Sequence, residues 1–165
     1  MASLRLTGVR ALLEVAPGLP HVTGPARLLV QAIVNLVVNA ADAAEPAPTP
    51  ERRWVTLRAR TEQGTVHISV EDGGPGLSDE VRRRLFEPFF TTKGTRGTGL
   101  GLALVREHVG RCGGQVEAEN VPGAGARFTI RLPVAAGTQP LGVPAGSTHG
   151  TEGIEKEHVR RVVVA

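Results

Sequence analysis

Residues 71–102 read EDGGPGLSDEVRRRLFEPFFTTKGTRGTGLGL, and this stretch decides the fold of the 165-residue chain. An aspartate, Asp72, ends an apolar segment and is followed closely by Gly74 and Gly76. A compact run of phenylalanine, proline and threonine comes next, and a second glycine cluster then opens an apolar helix. A strand end, a loop and a helix N-terminus this close together in sequence are typical of a nucleotide-binding site.

The second glycine cluster has the composition of a phosphate-binding backbone. The first turn of a helix leaves N–H groups unpaired and carries a partial positive charge, so it attracts phosphate. Gly97, Gly99 and Gly101 allow the backbone to approach a ligand closely. The cluster therefore predicts contacts between the phosphates of a nucleotide and the start of the following helix.

Asp72 has a different chemistry, because its carboxylate can accept a hydrogen bond from an amino group. The exocyclic amine of adenine is a natural partner, and Gly74 and Gly76 would keep side chains out of the space of the purine. Taken singly, either glycine motif is more often an ordinary turn or a tight entry into a helix. The glycine spacings match neither the dinucleotide fingerprint nor the P-loop, so the order of the motifs carries the interpretation.

The composition indicates one globular domain with an aliphatic core. A length of 165 residues predicts a single domain, and 41% hydrophobic residues with only 3% aromatics predict a core of Val, Leu, Ile and Ala. The net charge of +3 is mild, and few aromatic residues accompany the basic clusters 82–84 and 160–161. We therefore expect no nucleic-acid partner. The single cysteine, Cys112, excludes an intramolecular disulfide and fits a reducing compartment.

The sequence predicts a soluble, cytoplasmic domain. No apolar run follows Met1, so no signal peptide is predicted. The most apolar stretch, residues 28–44, contains amides and an aspartate and is a poor candidate for a membrane span. A longer parent protein could still be anchored in a membrane.

Hydrophobic periodicity and turn residues predict a mixture of strands and helices in the first 133 residues. The predicted strands are 9–15, 54–60, 66–70, 115–119 and 127–132, and the predicted helices are 25–44, 78–85 and 99–112. Ser78 is a plausible N-cap, and residues 113–114 form a glycine pair that usually stops a helix. Residues 87–98 are predicted to form a loop rich in Gly and Thr.

The predicted catalytic domain comprises residues 1–135. Residues 136–158 are rich in Gly, Pro, Thr and Ser, which predicts a flexible linker. Residues 159–165 then form a short basic and apolar tail.

A polar stripe runs along the first predicted helix. At roughly 100° per residue, Gln31, Asn35, Asn39 and Asp42 fall within an arc of about 80°. Because the rest of the helix is apolar, we expect it to be largely buried, and a buried amide without a partner costs about 1–3 kcal/mol. Hydrogen bonds to a neighbouring element are one explanation. A line of oxygen donors for hydrated Mg²⁺ and its phosphates is the other.

Four segments occur in a defined order: Asn35-x-x-x-Asn39-Ala40, Asp72-x-Gly74-x-Gly76, residues 86–93 (FEPFFTTK) and residues 97–102 (GTGLGL). This combination resembles the four ATP-site boxes of the catalytic ATP-binding domain of sensor histidine kinases, and the resemblance covers residues 9–133. That domain belongs to a superfamily with DNA gyrase, the ninety-kilodalton heat-shock chaperone and MutL. The resemblance implies a two-layer α/β sandwich of the Bergerat type, with a mixed β-sheet and about three helices on one face.

The resemblance also implies roles for individual residues. Asp72 would bind the adenine amine, Asn39 with the help of Asn35 would hold Mg²⁺, and Lys93 would face the phosphates. Residues 91–98 would form a short mobile lid. The residues expected to bind ATP are Asn39, Asp42, Asp72, Gly74, Gly76, Thr92, Lys93, Gly97, Thr98, Gly99, Leu100, Gly101 and Leu102. The residues expected to serve the chemistry are Asn35, Asn39 and Lys93.

Asn35 separates two branches of the superfamily. The gyrase and chaperone ATPases resemble this helix but carry Glu at the matching position, where it deprotonates the attacking water. An asparagine cannot act as a general base near neutral pH. Asn35 therefore favours transfer of the γ-phosphoryl group to an external nucleophile over efficient hydrolysis.

A histidine kinase also needs a phosphoacceptor histidine on a helical dimerisation domain. His21, His67 and His108 lie inside the ATP-binding region, and His149 lies in the linker. His158 lacks the acidic residue and downstream proline of the usual acceptor motif. The acceptor domain and a response regulator are therefore expected partners outside this chain. Alone, the chain is expected to be monomeric, to bind ATP and not to autophosphorylate.

Alternatives remain open for the tail and for the function. Residues 160–165 resemble the opening strand of a response-regulator receiver domain, or they are an ordinary disordered tail. A serine kinase of the anti-sigma type, which acts as a binding module, uses a similar site, although its motifs usually depart from the string at 86–93. A hydrolysing ATPase of the gyrase and chaperone branch is the third alternative, which Asn35 disfavours.

Overall fold

The computed structural model describes the backbone of residues 2–6 and the whole of residues 8–94 and 97–135. The strands are β1 (Ala2–Leu6), β2 (Val9–Val15), β3 (Trp54–Glu62), β4 (Thr65–Asp72), β5 (Gln115–Asn120) and β6 (Ala126–Pro133). The helices are α1 (Ala26–Ala44), α2 (Asp79–Arg84) and α3 (Gly101–Arg111), and Pro50–Arg52 form a 3₁₀ turn.

The strands form one mixed sheet in the order β1-β2-β3-β4-β6-β5. Neighbouring strands are antiparallel except β2 and β3, which are parallel and are connected by the crossover that contains α1. The register places Glu71 opposite Thr56 on β3 and opposite Arg127 on β6. Asp72, the next residue, is therefore flanked by β3 on one side and by β6 on the other.

A hydrophobic core lies between the sheet and the helices. Its fully buried members include Leu36 of α1, Val70 of β4, Val105 of α3 and Ile130 of β6. Helix α1 packs against β3, β4 and α3, and α3 packs on β5. The predicted two-layer α/β sandwich with a mixed sheet and three helices is confirmed.

Helix α1 is buried along only one side, so the prediction that it is largely buried is wrong. The buried side repeats every four residues and consists of Leu28, Ala32, Leu36, Ala40 and Ala44. On the opposite side Val30 is 37% exposed, and Val34 and Val38 are each 52% exposed. A helix in a two-layer sandwich meets the sheet on one side only, so an apolar composition does not ensure burial.

By length and composition alone, α1 is also apolar enough to span a membrane. The core helices of soluble proteins meet the same criterion. Here Leu36 and Ala40 pack into the core between the sheet and the helices. The packing of α1 in the sandwich accounts for the apolar residues on its buried side.

The predicted elements are confirmed apart from their ends and one strand. Strand β1 is missing from the predicted set, because its conformation depends on pairing with β2, from Ala2 opposite Leu13 to Leu6 opposite Val9. The N-cap of α2 is confirmed, since the side chain of Ser78 accepts a hydrogen bond from the N–H of Val81. The predicted linker 136–158 and tail 159–165 lie outside the described residues and stay predictions.

Candidate nucleotide-binding site

Asp72, the last residue of β4, forms the first part of the candidate site. The residue is buried, with 2% of its surface exposed. Its Oδ1 accepts hydrogen bonds from the backbone N–H of Gly74 at 2.9 Å and from that of Ala126 at 3.3 Å. Ala126 is within reach because β4 pairs with β6. Because both of these bonds use Oδ1, Oδ2 keeps the capacity to accept a hydrogen bond from a ligand.

The pKa of Asp72 is raised above its usual value, chiefly because burial removes water from the carboxylate. The hydrogen bonds from Gly74 and Ala126 act in the opposite direction and lower the pKa, and the neighbouring charge of Glu71 raises it. The ionised form is therefore held at a cost in free energy. An amino group that donates to Oδ2 would offset this cost, as expected for the amine of adenine.

Glycines surround Asp72 for steric reasons. A Cβ on Gly125 would collide with Oδ1 of Asp72, and a Cβ on Gly74 would lie 2.7 Å from the carbonyl oxygen of Ala43 in α1. Gly76 has φ +82°, and its Cβ would lie 3.0 Å from a side-chain oxygen at the end of β5. The β4–α2 loop and the β5–β6 turn therefore approach each other and the aspartate too closely for side chains at these positions.

The second part of the site is a cleft of about 290 Å³ between α1, the loop that follows α2, and the start of α3. Nine of the residues predicted to bind ATP line it: Asn39, Asp42, Thr92, Lys93, Gly97, Thr98, Gly99, Gly101 and Leu102. Val81, Leu85 and Phe90 also line the cleft and supply apolar surface. The cleft therefore combines polar groups of α1 and the loop with the glycine-rich backbone at the start of α3.

Two predicted residues lie beside this cleft without lining it. Asn35 is one turn before Asn39 on α1, and its Nδ2 donates to the carbonyl oxygen of Gly101 at 3.5 Å, the limit for a hydrogen bond. Leu100 is 37% exposed. Asn35 therefore reaches the first residue of α3, whereas the side chain of Leu100 faces solvent in part.

Asp72, Gly74 and Gly76 do not line the cleft and form the separate cluster around the buried carboxylate. The two parts of the site meet at the C-terminal half of α1. Gly74 packs against the carbonyl of Ala43, and Ala43 directly follows Asp42 of the cleft. A ligand that occupied both parts would have one end at Asp72 and the other at the start of α3.

Lys93 places a cation between two oxygens of α1. Its Nζ lies 2.6 Å from Oδ2 of Asp42 and 3.1 Å from Oδ1 of Asn39. The side chains of Lys93 and Asp42 are 38% and 50% exposed, so this ion pair adds little to stability. An amide oxygen and a carboxylate oxygen thus converge here on one positive charge.

These oxygens fit a magnesium ion that is bound mainly through phosphates and water. Among residues 8–94 and 97–135, no group of three or more His, Cys, Asp and Glu side chains could hold a metal ion. Mg²⁺ needs few protein ligands when a nucleotide supplies phosphate oxygens, and amide or carboxylate oxygens are suitable. The donor set of Asn39 and Asp42 meets that requirement.

The start of α3 is held in place by the phenylalanine segment. Gly99 has φ +68°, and a Cβ there would collide with the backbone of Phe89. The N–H of Phe89 donates to the carbonyl oxygen of Gly99 at 2.9 Å. The N-cap residue, Leu100, has no side-chain oxygen with which to cap the helix. The first N–H groups of α3 are therefore available to an anion in the cleft.

Sequence reasoning misses three residues of the site. Asn120 at the end of β5 binds Leu77 in both directions, with its Oδ1 2.7 Å from the N–H nitrogen and its Nδ2 2.8 Å from the carbonyl oxygen. Gly125 packs on the Asp72 carboxylate. Arg52 binds the β4–α2 loop, which follows Asp72. An Asn and a Gly around a hairpin turn are a usable signal of close backbone approach. Arg52 carries no such signal, because its partners are carbonyl groups of loops distant in sequence.

The sandwich fold, together with the position of Asp72 beside the cleft, defines the class of an ATP-binding α/β domain. The particular family follows from a match of residues 24–136 to the family described as histidine kinase-, DNA gyrase B- and HSP90-like ATPase. The chain belongs to this family. The resemblance inferred from the four motifs is thereby confirmed.

Two similar proteins are two-component sensor proteins. The chain is 45% identical over 118 residues to the two-component sensor PprA of Pseudomonas aeruginosa, a match that covers 70% of this chain and 13% of PprA. It is 36% identical over 147 residues to the sensory histidine kinase/phosphatase NtrB of Azospirillum brasilense, covering 83% of this chain and 36% of NtrB. The chain thus spans much less than two thirds of the length of either relative.

Solved structures of histidine kinases share the fold. Full-length ShkA in complex with AMPPNP has a TM-score of 0.65 at 33% identity, over 79% of this chain and 27% of ShkA. The catalytic domain of histidine kinase ThkA, in a nucleotide-free form, has a TM-score of 0.65 at 28% identity, over 77% of this chain and 80% of that domain. The described part of this chain therefore corresponds to a catalytic domain.

Proposed function

We propose that this domain binds Mg-ATP and transfers its γ-phosphoryl group to a histidine on a dimerisation domain outside the chain. The observation that carries the proposal is the position of Asn35, one turn from Asn39 and in contact with the carbonyl oxygen of Gly101 at the start of α3. An amide at this place orients its neighbours by hydrogen bonds but removes no proton from water. This chemistry favours transfer to an external nucleophile over hydrolysis.

Asp72 would select adenine. Its Oδ1 is bonded to backbone N–H groups, and its Oδ2 would accept the exocyclic amine. Gly74 and Gly76 would let the β4–α2 loop lie close to α1 and to the end of β5 beside the purine ring. A carboxylate accepts this amine but repels the carbonyl oxygen that guanine carries at the same position, so Asp72 would also provide base discrimination.

Asn39 would hold Mg²⁺ through its amide oxygen, with Asp42 beside it in the cleft and Asn35 one turn before it on α1. When bound, Mg²⁺ would neutralise charge on the phosphates. Lys93 would have to leave the oxygens of Asn39 and Asp42, because its ammonium group and Mg²⁺ would repel each other if both occupied this position. The released Nζ would then reach the phosphates, since Lys93 and Gly101 line the same cleft. Lys93 would thus shift from α1 to the nucleotide on binding.

The acceptor histidine would come from another domain, because none of the histidines in the described ranges lines the cleft. An incoming histidine would pass the exposed side chains of Phe89, Leu100 and Leu104, which are 76%, 37% and 39% exposed around the start of α3. We place the docking surface of the dimerisation domain on these three residues. A cytoplasmic response regulator would receive the phosphoryl group afterwards. The named sensor kinases among the relatives support this pathway.

Thermal unfolding with and without Mg-ADP tests the nucleotide site. At about 100 times its Kd, ADP should stabilise the wild-type domain by roughly 2.7 kcal/mol. Asp72→Asn should lose most of this shift, because an amide nitrogen or a weaker acceptor then faces the adenine amine. Glu62→Gln, at an exposed position on the β3–β4 hairpin, is the control and should keep the shift. An equal shift in Asp72→Asn would contradict the role of Asp72, and no shift in the wild type would contradict the site.

Phosphotransfer is tested by incubating the domain with radiolabelled ATP and a separate dimerisation domain that carries an acceptor histidine. Label should appear on the dimerisation domain and not on this chain. Asn39→Ala should reduce the rate by about 100-fold or more, a loss typical of removing one group that stabilises the transition state. Label on the isolated chain, or release of phosphate as fast as its transfer, would overturn the proposal.

A further inference from the structure

Arg52 ties together the two loops beside the buried aspartate. It ends the 3₁₀ turn just before β3. Its Nε donates to the carbonyl oxygen of Gly73 at 3.1 Å, and its Nη2 donates to those of Gly74 at 2.9 Å and Ala124 at 2.5 Å. Gly73 and Gly74 belong to the β4–α2 loop, whereas Ala124 belongs to the β5–β6 turn. One side chain therefore sets the distance between these loops.

The bonding of Arg52 is directed to backbone carbonyls. Within the described ranges no carboxylate forms a salt bridge with it, and carbonyl groups accept from its donors. A guanidinium presents its donors in a rigid planar fork, so it imposes a geometry on the groups that it binds. Gly73 and Gly74 have no side chains and would otherwise leave their loop free to adopt many conformations. Arg52 therefore restricts a loop whose own sequence makes it flexible.

The hydrogen bond to Gly73 acts on the same peptide group that binds Asp72. The carbonyl of Gly73 and the N–H of Gly74 belong to one planar peptide. Arg52 binds the oxygen of that peptide, and the N–H at its other end donates to Oδ1 of Asp72 at 2.9 Å. Rotation of this peptide would break both hydrogen bonds. The position of the carboxylate is thus coupled to Arg52 through a single rigid unit.

We propose that Arg52 is a positioning residue for the recognition of adenine, an inference that rests on the nucleotide function proposed above. Arg52 keeps the Gly73–Gly74 peptide oriented so that Oδ1 of Asp72 is occupied and Oδ2 faces the exocyclic amine. Without it, the peptide rotates more freely and the carboxylate adopts more than one orientation. The site then distinguishes less well between purines with and without the amine.

The test compares Mg-ADP with Mg-IDP, whose base carries a carbonyl oxygen in place of the adenine amine. Isothermal titration calorimetry gives the Kd of each nucleotide for the wild type and for Arg52→Met, which keeps the length of the side chain and lacks its donors. The wild type should prefer ADP. Arg52→Met should reduce that preference about tenfold, mainly through weaker ADP binding, the effect expected from one hydrogen bond.

Arg53→Met is the matched control. Arg53 follows Arg52 directly, is also half-buried, and donates from its Nε to the carbonyl oxygen of Ala47 at 3.1 Å, outside both loops. This variant should keep the wild-type preference for ADP even where it lowers the melting temperature. If Arg52→Met keeps the preference as well, Arg52 serves stability alone and the proposal is overturned.

Two further variants extend the test, and the first of them, Arg52→Lys, also covers a loss of folding in Arg52→Met. Arg52→Lys retains the charge and part of the bonding, so it should show a preference between those of the wild type and Arg52→Met. In an Asp72→Asn background, Arg52→Met should not change the ratio of the two Kd values further, because both residues act through one peptide. An independent further change would contradict the proposal. If the wild type binds neither nucleotide, the proposed function itself is overturned. This result is distinct from the one in which wild type and Arg52→Met prefer ADP over IDP to the same degree.

Discussion

Asp72 connects stability to binding at the scale of a single residue. Burial raises its pKa, and only the N–H groups of Gly74 and Ala126 counter that effect appreciably. A carboxyl group whose pKa is raised in the folded state contributes stability that is fully present below its unfolded pKa. This contribution is lost as the pH rises through the folded pKa. At neutral pH the ionised carboxylate therefore lowers the free energy of unfolding while it prepares the site for an amine.

Asp72→Asn should therefore raise the melting temperature of the nucleotide-free domain at neutral pH, because an amide avoids the desolvation of a charge. As the pH falls through the raised pKa of Asp72, the wild-type carboxyl group takes up a proton and the difference should shrink. Thermal unfolding at neutral pH gives the two melting temperatures, and urea unfolding over a series of pH values gives the difference in the free energy of unfolding. A variant that is less stable than the wild type at neutral pH would show that the hydrogen bonds to Oδ1 outweigh the desolvation.

At the scale of elements, the start of α3 depends on its contact with the loop before it. Gly99 adopts φ +68° with its Cα against the backbone of Phe89, and the carbonyl oxygen of Gly99 accepts from the N–H of Phe89. The glycines at 97–101 are thus needed for packing between two chain segments as well as for approach to phosphate. A loop that appears in sequence as a flexible lid is joined at this point to the helix that it precedes.

Gly99→Ala should lower the stability by about 1–3 kcal/mol, because the residue would be strained at positive φ and would collide with Phe89. It should also weaken Mg-ADP binding, since the first turn of α3 would move. Gly110→Ala, inside α3, is the control: a Cβ there would meet no atom within 4 Å outside its own stretch of helix, so the variant should be more stable by about 0.5–1 kcal/mol. Urea unfolding and calorimetry check both variants. Equal stability of Gly99→Ala and the wild type would contradict the steric argument.

At the scale of the whole molecule, the two-layer architecture decides which apolar residues stabilise the domain. Leu36 and Val34 both lie on α1, yet Leu36 is 0% exposed and Val34 is 52% exposed. The sheet covers one side of α1, and α3 packs beside it. Hydrophobicity in the sequence therefore overstates how much of α1 contributes to the core.

Leu36→Ala should cost about 2–5 kcal/mol through lost burial and a cavity in the core. Val34→Ala should change the stability by about 0.5 kcal/mol or less, because the side chain is half in water and alanine favours a helix. Chemical unfolding of the two variants provides the comparison. A cost above about 2 kcal/mol for Val34→Ala would indicate that this side of α1 is covered in solution.

Much of the fold could be predicted, because its elements carry local signals. Ser78 before an acidic first turn marks α2, and the glycine pair after Cys112 marks the end of α3. Strand β1 could not be predicted in the same way, since its five residues become a strand through pairing with β2. The burial of α1 was wrongly predicted for a related reason. Burial depends on which elements lie on either side of a helix, and neither composition nor periodicity specifies them.

In the candidate site, too, some features have local sequence signals and others depend on segments distant in the chain. Sequence motifs predicted nine of the residues that line the cleft, because phosphate-binding backbone needs glycines and helix starts at fixed places. The ion pair between Lys93 and Asp42 joins residues far apart in the chain, and no local pattern specifies it. Arg52 and Gly125 are comparable cases, since each acts on the Asp72 region from a distant segment.

The sequence by itself determined the class of the protein and predicted the chemistry of its site. The order of the four motifs identified the ATP-binding family, and Asn35 favoured phosphoryl transfer, because these signals reside in residue identity and spacing. Only the tertiary structure decided that Oδ1 of Asp72 is occupied by backbone, that Lys93 rests on α1, and that Arg52 joins two loops. These facts depend on the distances between segments that are remote in sequence, and packing of the sandwich is what sets those distances.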